Sequence, residues 1–306
     1  MSNATLEPQM VEFIRETESF YPADSAGRPI AEQRRLYDAY AAHMTPPRPP
    51  GVTSQDRHLA LPGRSIDVRL TRDAASGAKG VIVYLHGGGF VLGGLDSHEI
   101  VTAHLAARTG ATVVTVDYRL APEHTFPAAF EDARDAVQWV RAEWPQRKIV
   151  AIGDSAGGNL CTAVATHLRD TGAKQLDGMV LFYPTLAPDP MPPACDDHAQ
   201  APMLTLADVL WYKEAYLSGA APTPYSSPLL ATRYDGLPPT LLLPVEIDPL
   251  RDDATTLHAR IKAAGGTSEL VVGKGLLHGA LRALGRSPGI DALMQRAVDF
   301  ALAHLI

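Results

Sequence analysis

Lys148-Ile149-Val150-Ala151-Ile152-Gly153-Asp154-Ser155-Ala156-Gly157-Gly158-Asn159 is the stretch that decides the fold. Its first half is a short apolar run that reads as a buried strand. Its second half opens an Ala-rich segment that reads as a helix, from Ser155 through about Leu168. The serine stands at the bend, in the G-x-S-x-G pattern of an elbow that holds its Oγ clear of the sheet. Gly153 and Gly157 carry no side chain where strand and helix must pass closely. The first N–H groups of the helix point at the serine, where negative charge would develop during acyl transfer.

Upstream, His86-Gly87-Gly88-Gly89-Phe90 follows the apolar run Val81-Ile82-Val83-Tyr84-Leu85. Consecutive glycines after a buried strand let the backbone approach a ligand and aim N–H groups into a shared space. An oxyanion hole needs such donors about 3 Å from the developing alkoxide, each worth roughly 2.7–4 kcal/mol of barrier. A phosphate loop would continue as G-x-x-x-x-G-K-[ST] or G-x-G-x-x-G. Phe90, Val91 and Leu92 follow instead.

A nucleophilic serine needs a base, and the base needs a group that holds its tautomer. On an elbow of this kind the chain order is nucleophile, acid, histidine. His198 lies in Pro/Asp-rich text before any acid on a late strand. His258 falls inside the amphipathic segment 254–263, and His304 in the last helical turn. His278 remains, on a short loop after Glu269-Leu270-Val271-Val272 and directly before Gly279. The acid is expected at Asp248, where the apolar run Thr240–Ile247 ends and Pro249 stops it. Pro244 inside that run is tolerable near an edge or bulge. Asp252 and Asp253 read as favourable charges at the start of the next helix.

Ser155, Asp248 and His278, with HGGGF and GDSAGGN, resemble the hormone-sensitive-lipase-like family of α/β-hydrolases, the bacterial family IV carboxylesterases. Asp117-Tyr118-Arg119-Leu120-Ala121-Pro122-Glu123 is similar to that family's DYRLAPE segment. Ser227-Pro228 and Asp248-Pro249-Leu250-Arg251-Asp252 fit its patterns as well. The resemblance implies that Gly88, Gly89 and Ala156 form the oxyanion hole. It also implies hydrolysis of short- to medium-chain carboxylic esters, with no cofactor and no metal. The chain departs from the family at His278-Gly279-Ala280, where many members carry phenylalanine. The smaller residue either opens space beside the base or is packed over by Leu277 and Leu281. Arg119 and Glu123 are expected to pair and brace a loop near the site. An amide, formamide or carbamate is the alternative substrate, because the same oxyanion hole serves it. A non-catalytic receptor on this scaffold is the more distant alternative, since such proteins typically lose a member of the triad.

Strand signals near Leu59, Ile66, Val81, Val113, Val150, Leu181, Leu242 and Leu270 alternate with helices along most of the chain. The expected architecture is α/β: an α/β-hydrolase fold with a mostly parallel eight-stranded sheet flanked by helices and a helical cap. Residues 1–50 read as two cap helices, Glu7 to Glu18 and Pro29 to Met44. Residues 51–306 read as the catalytic domain, interrupted at about 186–237 by Pro/Asp/Ala-rich text that holds a helix from Thr205 to Leu217. Phe90, Trp211, Tyr212 and Leu277 are candidate walls of a substrate pocket, although the aromatics of the insertion would equally build its own core.

A chain of 306 residues with 46% hydrophobic and 20% charged residues has the make-up of an ordinary soluble globular protein. The net charge of −7, with no basic stripe, argues against nucleic acid as a partner. Cys161 and Cys195 make no disulfide framework. No leader and no apolar run of about 20 residues is apparent, so a cytoplasmic location and no membrane partner are expected. The expected partner is a small-molecule ester, and a homo-oligomer is left open.

Overall fold

The central strands of the sheet form where the chain runs out of polar residues. The computed structural model describes residues 5–22, 27–61, 63–75 and 80–306. Helices α1 (Pro8–Glu18) and α2 (Ile30–Met44) precede strands β1 (Val52–Leu61) and β2 (Arg64–Asp73). Then come β3 (Val81–Leu85), α3 (Glu99–Thr109), β4 (Thr112–Asp117), α4 (Ala128–Glu143), β5 (Ile149–Asp154), α5 (Ala156–Asp170) and β6 (Gly178–Phe182). A long excursion carries α6 (Ala194–Asp197) and α7 (Leu206–Leu217). It is followed by β7 (Thr240–Leu243), β8 (Val245–Ile247), α8 (Arg251–Ala263), β9 (Ser268–Leu270), β10 (Gly273–Leu277) and α9 (Pro288–Leu305).

The expected eight-stranded sheet is present, in the order β1-β2-β4-β3-β5-β6-β7-β9. β2 pairs antiparallel with both β1 and β4, and the remaining pairs are parallel. Every residue of β3 is buried, as expected of a strand covered on both faces. Its alternating side chains feed two layers. Val81, Val83 and Leu85 pack with Val137 of α4, Val164 of α5 and Leu257 of α8. Ile82 and Tyr84 pack with Leu105 of α3 and Met294 and Ala297 of α9. Cys161 lies in the first of these layers, fully buried, the setting its small apolar character favours.

Two corrections concern the late strands. The run Thr240–Ile247 is not one strand. Proline cannot donate to a ladder, and at Pro244 the chain leaves the main sheet. Val245–Ile247 pairs instead with β10, in a separate parallel two-stranded sheet. The segment before His278, read as a loop, is this β10. Two glycines in Gly273-Lys274-Gly275-Leu276-Leu277 conceal its extended character, because glycine is depleted in strands.

α1 and α2 each begin one residue later than the sequence reading, after Glu7 and Pro29 respectively. Met10 and Phe13 of α1 and Tyr40 and Met44 of α2 join the layer that holds α3 and α9. Nearer the start of α2, Ile30 and Tyr37 meet Tyr212 and Ala215 of α7 over Val91, Leu92 and Ala121. α7 starts at a capping box in which the Thr205 hydroxyl accepts from the Asp208 N–H and Asp208 accepts from the Thr205 N–H. Among the described residues, no helix is long and apolar enough to cross a membrane.

Candidate active site

β5 delivers Ser155 at its C-terminal end, with φ 52° and ψ −117°. A positive φ is uncommon for a residue with a Cβ and marks local strain. The surroundings hold it there. The Ser155 N–H donates to Phe182 O at 2.9 Å, and Ser155 O accepts from Asn159 N–H at 3.1 Å. The crossing of strand and helix is so close that a Cβ on Gly157 would stand 1.8 Å from Leu85 O.

The structure brings Ser155, His278 and Asp248 together. His278 Nε2 lies 2.9 Å from Ser155 Oγ, and Nδ1 lies 2.8 Å from Asp248 Oδ2. With Nδ1–H donating to the carboxylate, Nε2 is left to accept the serine proton. Asp248 is fully buried, and its other oxygen accepts from Leu250 N–H at 2.8 Å. The two-stranded sheet sets this arrangement. Leu277 of β10 is in register with Ile247 of β8, so the residues that follow them emerge side by side. The Tyr183 ring, on a backbone with φ 33°, sits 4.7 Å from the imidazole.

The other candidates fall elsewhere. Asp252 accepts from Ala194 N–H, and buried Asp253 accepts from the N–H groups of Leu186 and Ala187. Both lie in the first turn of α8, as expected, but each also pins the excursion after β6. His198 lies 3.3 Å from Arg251, His258 bonds Ser268 Oγ, and His304 bonds the backbone of α9. His86 is fully buried, and burial together with His98 pushes its pKa down to about 3. It is a neutral scaffold group, its ring stacked 4.3 Å from Tyr118.

The glycine loop needs its glycines. Gly88 has φ 120° and Gly89 has φ 62°. A Cβ on Gly88 would meet Leu92 O at 2.2 Å, and one on Gly89 would meet the Tyr212 ring at 2.2 Å. Gly88 O accepts from Val91 and Leu92 N–H, which closes the turn. Among the described residues, no acceptor takes the N–H groups of Gly88, Gly89 or Ala156.

Behind the serine lies a residue that the motif reading passed over. Asp154 is buried and accepts from Tyr84 O–H at 2.7 Å and from Gly87 N–H at 2.9 Å. His98 Nε2 stands 3.3 Å away. Burial opposes ionisation, but His98 and Tyr84 outweigh it and hold this carboxyl well below the usual range. Asp154 thereby ties the elbow to the glycine loop. Its place between Gly153 and Ser155 was the available signal.

The expected pocket walls divide. Phe90 is buried and stacks on Tyr216 at 3.7 Å, beside a small cleft lined also by Asn159, Thr185 and Lys213. Tyr212 covers Gly89. Trp211 is not gathered with them: its side chain is 41% exposed on α7 and touches Tyr212 edge-on. Leu277 is a core residue, fully buried with Leu276 and Leu281, so it is not a pocket wall. The same layer encloses Ala280, which is fully buried with Leu277 and Leu281, so the position is packed over. The expected Arg119–Glu123 pair does not form. Arg119 turns to Asp132 of α4 at 2.8 Å, a buried carboxylate, while Glu123 takes Arg34 of α2 at 2.7 Å. Among the described residues, no group of three or more His, Cys, Asp or Glu side chains could hold a metal ion.

The family model described as the α/β hydrolase fold matches residues 82–282. The structure also superposes on an esterase from the bacterial hormone-sensitive lipase family with a TM-score of 0.88. The identity is 28%, and 100% of each chain is covered. The chain belongs to the hormone-sensitive-lipase-like family of α/β-hydrolases. It is thus a member of a family of carboxylic ester hydrolases. Esterase LipI of Mycobacterium tuberculosis is 35% identical over 71% of this chain and 71% of its own length. The ethyl acetate hydrolase of Pseudomonas putida is 32% identical over 85% of this chain and 83% of its own. The span matched by the family model runs from the glycine loop to the turn after His278.

Proposed function

We propose that this protein hydrolyses short- to medium-chain carboxylic esters through an acyl-enzyme. The observation that carries the reading is the continuous pair of hydrogen bonds from Ser155 Oγ through the His278 imidazole to buried Asp248. Ser155 Oγ attacks the ester carbonyl while Nε2 takes its proton, and Asp248 steadies the imidazolium that forms. The N–H groups of Gly88, Gly89 and Ala156 receive the oxyanion in a site that needs no reorganisation as charge develops. His278 passes the proton to the departing alcohol. Water then repeats the sequence against the acyl-serine and releases the acid. Residues 1–50 and the excursion at 186–237 act as a cap: α2 and α7 meet over the glycine loop, and Tyr212 closes on Gly89.

The test is hydrolysis of p-nitrophenyl esters from acetate to palmitate, with Ser155→Ala alongside. A rate that depends on Ser155 and peaks at short chains supports the reading and sizes the acyl site. Matched anilides are assayed in parallel. If anilides alone turn over in a Ser155-dependent way, the bond is an amide. Equal rates with and without Ser155 would remove the nucleophile assignment.

A further inference from the structure

The turn after His278 carries Arg282, a charged residue only 4% exposed. Among the described residues, no carboxylate lies within 4 Å of it to form an ion pair. Its guanidinium sits instead against two rings of α2, 4.7 Å from the centre of Tyr37 and 5.2 Å from that of Tyr40. Such cation–π contacts strengthen when desolvated. Nη1 donates to Ser97 O. From there the bonds run inward. Ser97 Oγ bonds His98 Nδ1 at 2.9 Å, and His98 Nε2 faces Asp154, which holds the Gly87 N–H. One side chain therefore joins the turn bearing His278 to α2, and through Ser97 and His98 to the carboxylate beside Ser155.

We propose that Arg282 is a positioning residue that registers the His278 turn against α2 and the nucleophile elbow, making the base competent only while α2 is docked. This rests on the serine-hydrolase reading above. Arg282 makes no direct contact with Tyr212 or Phe90, so removing the guanidinium should disturb substrate binding less than it disturbs the base. What is lost is the alignment of Nε2 with Oγ, and an error of about 1 Å in such geometry costs on the order of a hundredfold.

The experiment compares wild type, Arg282→Met, Arg282→Lys and Ser155→Ala. Each is assayed for p-nitrophenyl acetate turnover per site counted by active-site titration. Each is also assayed for the rate at which a fluorophosphonate labels Ser155. In labelling, the Oγ–P bond forms, fluoride leaves and His278 takes the serine proton, so the rate reports the base without any ester. In Arg282→Met, kcat per titrated site and the labelling rate should fall by about tenfold to a hundredfold, with KM within about threefold. Arg282→Lys keeps the charge and should recover part of both. The proposal is overturned if both rates in Arg282→Met stay within about twofold of wild type, whatever happens to the melting temperature. A loss that appears only as fewer titratable sites overturns it too. If Arg282→Met does not fold, Arg282→Lys decides by the same readouts. Turnover or labelling that persists in Ser155→Ala strikes the underlying mechanism instead, and the two failures are thereby distinguished.

Discussion

Ser155 holds a conformation that a residue with a Cβ resists, and three backbone hydrogen bonds, its N–H to Phe182 O and its carbonyl from Asn159 and Thr185 N–H, keep it there. Replacing it by alanine leaves those bonds in place. Ser155→Ala should therefore fold normally and lose about 10⁴-fold or more in turnover, read by kcat and a thermal melt together. The two aspartates after β8 make a sharper test, because they differ in what they touch. Asp248 faces His278, whereas Asp252 accepts from the Ala194 backbone. Asp248→Asn disturbs the tautomer of the base and should cost orders of magnitude in kcat. Asp252→Asn should shift stability and leave kcat within a few-fold. The reverse ranking in steady-state kinetics would reassign the acid. These residues were legible in the sequence because each terminates a recognisable run. Arg282 was not, since a buried charge announces itself only through partners distant along the chain, and Asp154 showed its place in the elbow but not the Tyr84 and Gly87 contacts that occupy it.

Among the elements, the crossing of β3 and α5 is the tightest contact, and Gly157 makes it possible. Helix propensity alone predicts that Gly157→Ala stabilises α5 by about 1 kcal/mol. Sterics predict the opposite, because the added carbon would lie 1.8 Å from Leu85 O, a backbone atom with nowhere to go. Overpacking of this kind costs about 1–3 kcal/mol or more, so it outweighs propensity. Urea denaturation of Gly157→Ala should show a net loss, and a raised midpoint would refute the account. The same scale shows why reading elements from sequence succeeded unevenly. Strands buried on both faces, such as β3 and β5, are continuous apolar runs and could be placed from the text. β10 could not, because glycines interrupt it and its partner β8 is too short to show alternation. Arg119 chose Asp132 over Glu123 for a reason equally hidden: α4 presents a buried carboxylate that needs a cation, while α2 supplies Arg34 to Glu123.

For the whole molecule, pH enters through Asp253. Burial pushes its pKa up to about 7, with Asp248 nearby adding to the effect. In the unfolded chain it titrates near 3.9. Between about pH 4 and pH 7 the folded protein therefore holds a proton that the unfolded chain has lost, so this group's contribution to stability falls as pH rises through that window. Asp253→Asn carries no such proton. Denaturant melts should show wild type losing stability relative to Asp253→Asn from about pH 5 to about pH 7.5. A constant difference between the two proteins would mean that Asp253 does not titrate there. Asp253 also grips the backbone at Leu186 and Ala187, where Lys213 of α7 donates to Ala187 O, so the change would be felt where the excursion meets the main sheet. The small sheet of β8 and β10 is separate from the main sheet. The proposed acid and base ride on it as one cassette, their spacing from each other written in the main-chain pairing of β8 with β10. Leu210 and Trp211, exposed on the outer side of α7, take no part in that spacing, so the mouth of the site could be recut for a different ester without moving the proposed acid away from the proposed base.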